Sequence, residues 1–213
     1  MTDAQDRPPS IEENLAFLRA VAESGRRVTG AAGEHLVLWG VLTAFAYLND
    51  YAVAMNGYES AWRIPAGYVA MIAAGWAGSV FFAARASGAG PAPLAARVYA
   101  IVFSSAGVAL SFFAAGVGAT GALPYGAIIV VAAHLMGVCF LVTGLLSKQR
   151  WIAAVGAGWL ASGFGYLAIV DERALILVAA VGWIILMAVP GAVLLVARRK
   201  STAASGVSAA DIP

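Results

Sequence analysis

Apolar residues occur in this chain as six blocks, each close to the length that a helix needs to cross a lipid bilayer. The blocks cover residues 32–54, 64–84, 98–118, 125–146, 151–170 and 174–197. A helix rises about 1.5 Å per residue, so about 20 apolar residues cross the ~30 Å of hydrocarbon. A soluble core would instead divide its apolar residues into short periodic runs. The pattern predicts an all-α fold, a polytopic transmembrane helix bundle of six spans.

Before the first block, apolar and charged residues alternate at helical spacing. Ile11, Leu15 and Leu18 fall on one face of a helix over about 10–27, for which Ser10 is a candidate N-cap. This amphipathic helix suits either the membrane interface or a cytoplasmic protein partner, because its mixed charge is less basic than that of a typical lipid-binding helix.

The pattern divides the chain into three parts. Residues 1–30 form a cytoplasmic segment that contains the amphipathic helix, and residues 31–198 form the six-span domain. Residues 199–213 form a tail whose small and polar side chains predict disorder. The first thirty residues hold no long apolar run with a cleavage site, so the first span is expected to act as its own targeting signal.

Basic residues are distributed unevenly between the two sets of block ends. Of the 13 Lys and Arg residues, only Arg63 and Arg173 fall on one side. The other side carries Arg7, Arg19, Arg26, Arg27, Arg85, Arg97, Lys148, Arg150, Arg198, Arg199 and Lys200. Basic residues collect on the cytoplasmic side of a membrane protein. The bias predicts both termini in the cytoplasm and a multi-pass protein of a bacterial inner membrane.

Composition agrees with this prediction and excludes two other classes. The chain is 62% hydrophobic and 11% charged, far from the balance of a soluble domain. A net charge of +2, with the basic residues beside apolar blocks, gives no reason to expect a nucleic-acid partner. Membrane lipids are the expected partners. The single cysteine, Cys139, lies within an apolar block and allows no intrachain disulfide.

Short stretches in different blocks resemble one another. Residues 44–48 align with residues 163–167, and residues 73–78 align with 132–137 and, one position out of step, with 179–183. The matches suggest three helical hairpins related by duplication. Chance similarity among helices rich in Ala and Gly is the alternative.

Small residues spaced four apart mark candidate helix contacts, because they allow two backbones to approach closely. Besides Ala133 with Gly137, the candidate packing pairs are Gly75 with Ser79, Gly107 with Ser111, and Gly158 with Ser162. Glycine-rich faces in so small a bundle also suit a homo-oligomer. Pro190, inside the last block, removes a helical hydrogen bond and predicts a kink.

Ionisable residues within the apolar blocks are the candidates for a polar or ligand site, since such groups are costly in a membrane. They are Glu34, His35, Asp50 and His134. Sixteen residues of helix separate Glu34 from Asp50, a rise of about 24 Å that is shorter than the hydrocarbon layer. At least one of the two carboxylates is therefore expected at or inside the apolar boundary, facing protein or water.

His134 is expected near the middle of the membrane and has two interpretations. It is either a functional group, such as a proton carrier or ligand, or a hydrogen-bonded tie between helices. A haem held by His35 and His134 is a minor alternative, because their predicted depths differ. No metal site is predicted, since His134 and Cys139 do not share a helical face and a site needs three or more donors. No cofactor is predicted.

No catalytic signature is present among the motifs with a known mechanism, so no catalytic residue is assigned and the chain is not expected to be an enzyme. The favoured hypothesis is a non-enzymatic scaffold, sensor or regulatory membrane protein. The alternative is a small-molecule or proton-coupled transporter, in which His134 would face a cavity shared with other polar groups. A haem-binding or redox protein is the third hypothesis.

The segment Glu13-Asn14-Leu15-Ala16-Phe17-Leu18-Arg19, followed by six short spans rich in Ala and Gly, resembles a group of uncharacterised small bacterial inner-membrane proteins. That group has no assigned activity. The resemblance therefore implies a six-span architecture and no site residues.

Overall fold

The protein is an all-helical bundle, which confirms the predicted fold class. A computed structural model describes residues 11–57, 59, 62–87 and 94–207, with side chains for 32–57, 59, 62–85 and 97–200. No β-strand occurs in these ranges. The helices are α1 (Ile11–Met55), α2 (Arg63–Ser87), α3 (Leu94–Thr120), α4 (Gly126–Leu146), α5 (Arg150–Leu167), α6 (Glu172–Trp183) and α7 (Val189–Val207), with a π-helical turn (Ile184–Ala188) joining the last two.

Within the described ranges, five helical segments are long and apolar enough to cross a membrane, which suggests a membrane protein. They are Ala32–Met55, Arg63–Arg85, Arg97–Thr120, Gly126–Leu146 and Glu172–Lys200. Each coincides with a predicted block. The predicted fifth block forms α5, which has 18 residues and a composition rich in Gly with two Trp. Those residues lower its hydropathy, so length and composition support five spans and do not confirm six.

The N-terminal segment does not form a separate helix. α1 runs for 45 residues without a break, so the amphipathic stretch continues directly into the first apolar block. The physical reason lies in the sequence, which has no proline between Ser10 and Trp62 to interrupt the backbone hydrogen bonds. The predicted N-cap, Ser10, lies outside the described residues. At the other terminus α7 continues to Val207, into the segment whose composition predicts disorder.

One end of the bundle, here called the Glu34 end, brings together parts of α1, α2, α3 and α7. Arg198 lies 3.7 Å from the carboxylate of Glu34, and the hydroxyl of Tyr99 donates to the carbonyl of Ala32 at 3.4 Å. The ring of Phe82, late in α2, packs edge-on against His35. The start of α5 belongs to the same end, because Trp151 borders a cavity there together with Ala32.

The opposite end, here called the Asp50 end, joins the end of α1 to the starts of α2, α4 and α6. Tyr68 and Tyr125 both contact Asp50, and Glu172 borders a cavity beside it. Successive helices therefore run in opposite directions between the two ends. α5 begins at the Glu34 end and is followed by α6 starting at the Asp50 end, so it also traverses the bundle.

Two helix pairs approach most closely at small residues. A Cβ added to Gly191 of α7 would lie 2.8 Å from the carbonyl oxygen of Gly33 in α1. A Cβ added to Gly156 of α5 would lie 2.9 Å from the carbonyl oxygen of Gly137 in α4. No side chain fits at these distances, so glycine sets the separation of both pairs.

The packing pairs predicted from the sequence differ in their surroundings. The Gly75 and Ser79 face of α2 receives Trp39 of α1, whose indole Nε1–H donates to the Ser79 hydroxyl at 3.1 Å. Gly107 has no atom within 4 Å of an added Cβ, and Ser111 is exposed and donates to the carbonyl of Gly107 in its own helix.

The third pair lies on α5. A Cβ added to Gly158 would lie 3.3 Å from Leu186, so this position faces the last apolar segment. The Ser162 hydroxyl donates at 2.8 Å to the carbonyl of Trp159 in its own helix.

The strongest helix pairing does not follow the predicted hairpin repeat. α4 packs along most of its length against α5, although the repeat assigns these helices to different hairpins. α5 and α6, which the repeat pairs, have little contact. The threefold duplication is not confirmed.

The last apolar segment contains the irregularity that Pro190 predicts. A π-helical turn, Ile184–Ala188, immediately precedes it, and Ala188 packs against Gly40 of α1. Proline has no N–H for the carbonyl of Leu186, four residues earlier. The indole Nε1–H of Trp159 donates to that carbonyl instead, at 3.0 Å.

Candidate functional site

The most unusual side chain in the described ranges is Asp50, a carboxylate that is only 1% exposed. It lies in the last two turns of α1, within an apolar segment. Its Oδ2 accepts hydrogen bonds from the hydroxyls of Tyr68, at 2.9 Å, and of Tyr125. The two phenol oxygens lie 2.6 Å apart. Asp50 is one of the four residues that the sequence identifies as site candidates.

The helix directions explain why these three side chains meet. Tyr68 lies in the second turn of α2 and Tyr125 at the N-cap position of α4, and both helices start at the Asp50 end. A phenol has an ordinary pKa of about 10, so both hydroxyls are donors at neutral pH. Hydrogen bonds from neutral donors to a carboxylate are among the stronger ones in proteins.

The second carboxylate oxygen has no such partner. Asp50 Oδ1 is buried and accepts no hydrogen bond. The neighbouring Asn49 donates from its Nδ2 to the carbonyl of Arg63 at 3.0 Å. Among the described residues, no basic side chain forms an ion pair with Asp50. A buried carboxylate with one unpaired oxygen is costly, and it requires a physical explanation.

A cavity of about 110 Å³ lies beside this cluster. It is bordered by Asp50, Ile64, Tyr125, Glu172 and Ile176. The acidic residues come from two helices, since Asp50 lies near the end of α1 and Glu172 starts α6. None of the five bordering residues is basic.

A second group of aromatic residues packs beside this cluster. Tyr47, one turn before Asp50, packs edge-on against Tyr68 with their ring centres 6.5 Å apart. Tyr47 is 2% exposed, and the indole of Trp183 lies within hydrogen-bonding reach of its hydroxyl. Trp183 in turn packs edge-on against Trp159.

Glu34 and His35 lie at the opposite end of the bundle from Asp50. Glu34 pairs with Arg198 at 3.7 Å, and both side chains are partly exposed, at 27% and 46%. His35 contacts Phe82 with the ring centres 5.6 Å apart. A pair at this exposure contributes little to stability.

His134 lies between α4 and α5. Its Nδ1 lies 2.8 Å from the carbonyl oxygen of Val130 in its own helix, and its ring stands edge-on to Phe164. A Cβ added to Gly163 would lie 2.5 Å from His134 Cε1, so the glycine makes room for the imidazole. His134 borders neither of the two cavities described here.

The four predicted site residues are therefore not gathered into one site. Asp50 lies at one end, Glu34 and His35 lie at the other, and His134 lies partly buried between α4 and α5. The two histidines contact different neighbours, Phe82 on α2 and Phe164 on α5. Within the described residues, no group of three or more His, Cys, Asp or Glu side chains is arranged to hold a metal ion.

A larger cavity, of about 180 Å³, lies at the Glu34 end. Its walls are mainly apolar and include Leu36, Phe103 and Phe140. Thr143 also borders it, with a buried hydroxyl oxygen that has no hydrogen-bond partner.

Tyr68 and Tyr125 were not identified as site residues from the sequence. A signal for their role was present. Both stand near the start of a block, at the depth expected for Asp50, where a buried carboxylate needs donors. Which phenols would reach it depends on which helices adjoin α1.

Comparison with known proteins finds no relative, since no protein-family model, no curated protein and no solved structure matches the chain.

Proposed function

We propose that this chain is a six-span protein of a bacterial inner membrane that acts as a non-enzymatic sensor or regulatory protein, with both termini in the cytoplasm. The observation that carries this proposal is the separation of the ionisable residues. A coupled transporter gathers several such groups along one cavity. Here Asp50, Glu34 and His134 have separate surroundings, and His134 packs against Gly163 and Phe164.

The helix arrangement supports six spans. α5 is 18 residues long, about 27 Å of helix, and runs between the same two ends as its neighbours. One face of α5 packs against α4, and Trp159 is fully buried. The ends also differ in charge, since the basic residues Lys148, Arg150 and Arg198 belong to the Glu34 end.

Single-cysteine labelling tests this topology in a Cys139→Ala background. We expect an impermeant maleimide to label Glu59→Cys and Arg173→Cys in spheroplasts, and to label Lys148→Cys only after the membrane is opened. Because Lys148 and Arg173 flank α5, this result requires α5 to cross. Labelling of Lys148→Cys and Arg173→Cys from the same side would overturn the six-span proposal.

Reconstitution in liposomes separates a sensor from a transporter. We expect no flux of H⁺ or Na⁺ above that of protein-free vesicles under an imposed gradient. Flux that disappears in Asp50→Asn and persists in Glu34→Gln would favour the transporter alternative.

The N-terminal part of α1 is the proposed contact for a cytoplasmic partner. A photo-crosslinking residue at position 12 or 19, on the polar face that the sequence pattern predicts, should yield a discrete adduct in cells. The control position is Val108, which is exposed on α3 within an apolar segment. Adducts only with lipid, or the same adducts from all three positions, would count against a regulatory contact there.

Visible absorption spectroscopy addresses the haem alternative. We expect the purified protein to show no Soret band, oxidised or reduced. A Soret band that is lost in His134→Ala would make this a haem protein and overturn the proposal.

A further inference from the structure

The cavity at the Asp50 end has the chemistry of a cation site. Its two acidic residues, Asp50 and Glu172, come from helices far apart in sequence, and the phenol of Tyr125 adds a third oxygen. The remaining walls, Ile64 and Ile176, are apolar. Acidic groups in a low-dielectric cleft attract cations, because the field between them is poorly screened.

The unpaired oxygen indicates where a cation would be held. The hydroxyls of Tyr68 and Tyr125 contact Asp50 Oδ2 and each other, while Oδ1 is buried without a donor. This arrangement orients the carboxylate and leaves one buried oxygen without a hydrogen-bond donor. A buried anionic oxygen beside a cavity is stabilised if a cation occupies that cavity.

We propose that this cavity binds a small monovalent alkali cation, with Na⁺ as the type ion, through Asp50 Oδ1 and the oxygens of Glu172, Tyr125 and water. Alkali cations are hard ions that take oxygen ligands, as Ca²⁺ and Mg²⁺ do. A cavity of about 110 Å³ accommodates such an ion with several water molecules. The inference deepens the proposed function, since it names the ligand that a sensor would detect.

A divalent ion fits this donor set less well. Calcium takes six to eight oxygens, commonly from several carboxylates, and transition metals favour His or Cys. The cavity offers two carboxylates, and neither His nor Cys borders it. Only one of these two carboxylates, that of Asp50, is buried.

The test measures binding to the full-length protein in mild detergent. NaCl is titrated against choline chloride at constant ionic strength, with melting temperature and ²³Na NMR line broadening as readouts. We expect saturable stabilisation by Na⁺ that is absent in Asp50→Asn. Glu172→Gln should weaken the apparent affinity about tenfold, the loss of one charge-assisted contact.

Glu34→Gln is the matched control, because it removes the same charge at the opposite end of the bundle. It should bind Na⁺ like the unaltered protein. If Asp50→Asn does not fold, Glu172→Gln and Tyr125→Phe carry the test, since both keep the Asp50 carboxylate. Melting that depends on pH but not on Na⁺ would show that a proton occupies Oδ1 and would overturn the proposal.

The outcomes separate this inference from the proposed function. Na⁺ binding together with Asp50-dependent Na⁺ flux in liposomes would support the site and overturn the sensor. No Na⁺ binding in the unaltered protein, or equal loss in Glu172→Gln and Glu34→Gln, would overturn the site and leave the proposed function to its own tests.

Discussion

The indole Nε1–H of Trp159 in α5 donates a 3.0 Å hydrogen bond to the carbonyl oxygen of Leu186. Leu186 lies in the π-helical turn, four residues before Pro190. Proline has no N–H, so it cannot donate the backbone hydrogen bond that a carbonyl four residues earlier accepts in an α-helix. Trp159 is fully buried, so no water is available to that carbonyl from its side. The tryptophan thus provides a donor for a backbone carbonyl to which the proline cannot donate.

Replacing this donor should destabilise the bundle unless the backbone hydrogen bond is restored. We expect Trp159→Phe to lower the free energy of unfolding by about 0.5–2 kcal/mol. Pro190→Ala restores an N–H for Leu186, so the double variant should lose less than the sum of the single effects. Denaturation in mixed micelles measures this cycle. Simple additivity would show that the two residues do not share the carbonyl.

The phenols around Asp50 should stabilise the fold only while the carboxylate is present. We expect Tyr68→Phe and Tyr125→Phe each to destabilise the protein by about 1.5–3 kcal/mol, because each removes a donor to a buried charged group. In an Asp50→Asn background the same changes should have smaller effects. The melting temperatures of these variants check this, and equal losses in both backgrounds would argue against the hydrogen bonds.

Close approach of α1 and α7 should make Gly191 intolerant of a side chain. Gly191→Ala would place a methyl group 2.8 Å from the Gly33 carbonyl oxygen, and we expect a loss of about 1–3 kcal/mol from overpacking. Gly107→Ala is the matched control on α3, where nothing lies within 4 Å. It should be neutral or stabilising by about 0.5–1 kcal/mol, through helix propensity. Thermal melts in one detergent compare the two, and a large loss in Gly107→Ala would indicate a further contact at that face.

Packing of His134 against Gly163 predicts a rescue experiment. Gly163→Ala should destabilise the protein, because the added methyl group would overlap the imidazole at 2.5 Å. His134→Ala should relieve this overlap, so the double variant should be more stable than Gly163→Ala alone. Unfolding measured by tryptophan fluorescence checks the order of stability. Failure of the rescue would mean that the ring is not what fills the space beside Gly163.

The sequence by itself determined the class of the protein and the identity of its unusual residues. Blocks of about 20 apolar residues leave only helices as a solution, because every backbone group in a bilayer must be paired within its segment. Asp50 was recognisable because a carboxylate within such a block is costly wherever it lies. The extent of α1 was not recognisable, since nothing in a local pattern decides whether an amphipathic stretch bends away from the span that follows it.

Only the tertiary structure decided which of these residues meet. Apolar helices of similar composition can adjoin one another in many orders. Lipid and leucine are equally apolar, so the sequence pattern does not indicate which face of a helix contacts lipid and which contacts another helix. Close contacts at Gly33, Gly137, Gly156 and Gly191 select one arrangement. That arrangement places Tyr68 and Tyr125 on Asp50, packs His134 against Gly163, and leaves Glu34 at the far end with Arg198. The candidate site therefore depends on which helices are neighbours. The sequence of a single helix does not determine its neighbours.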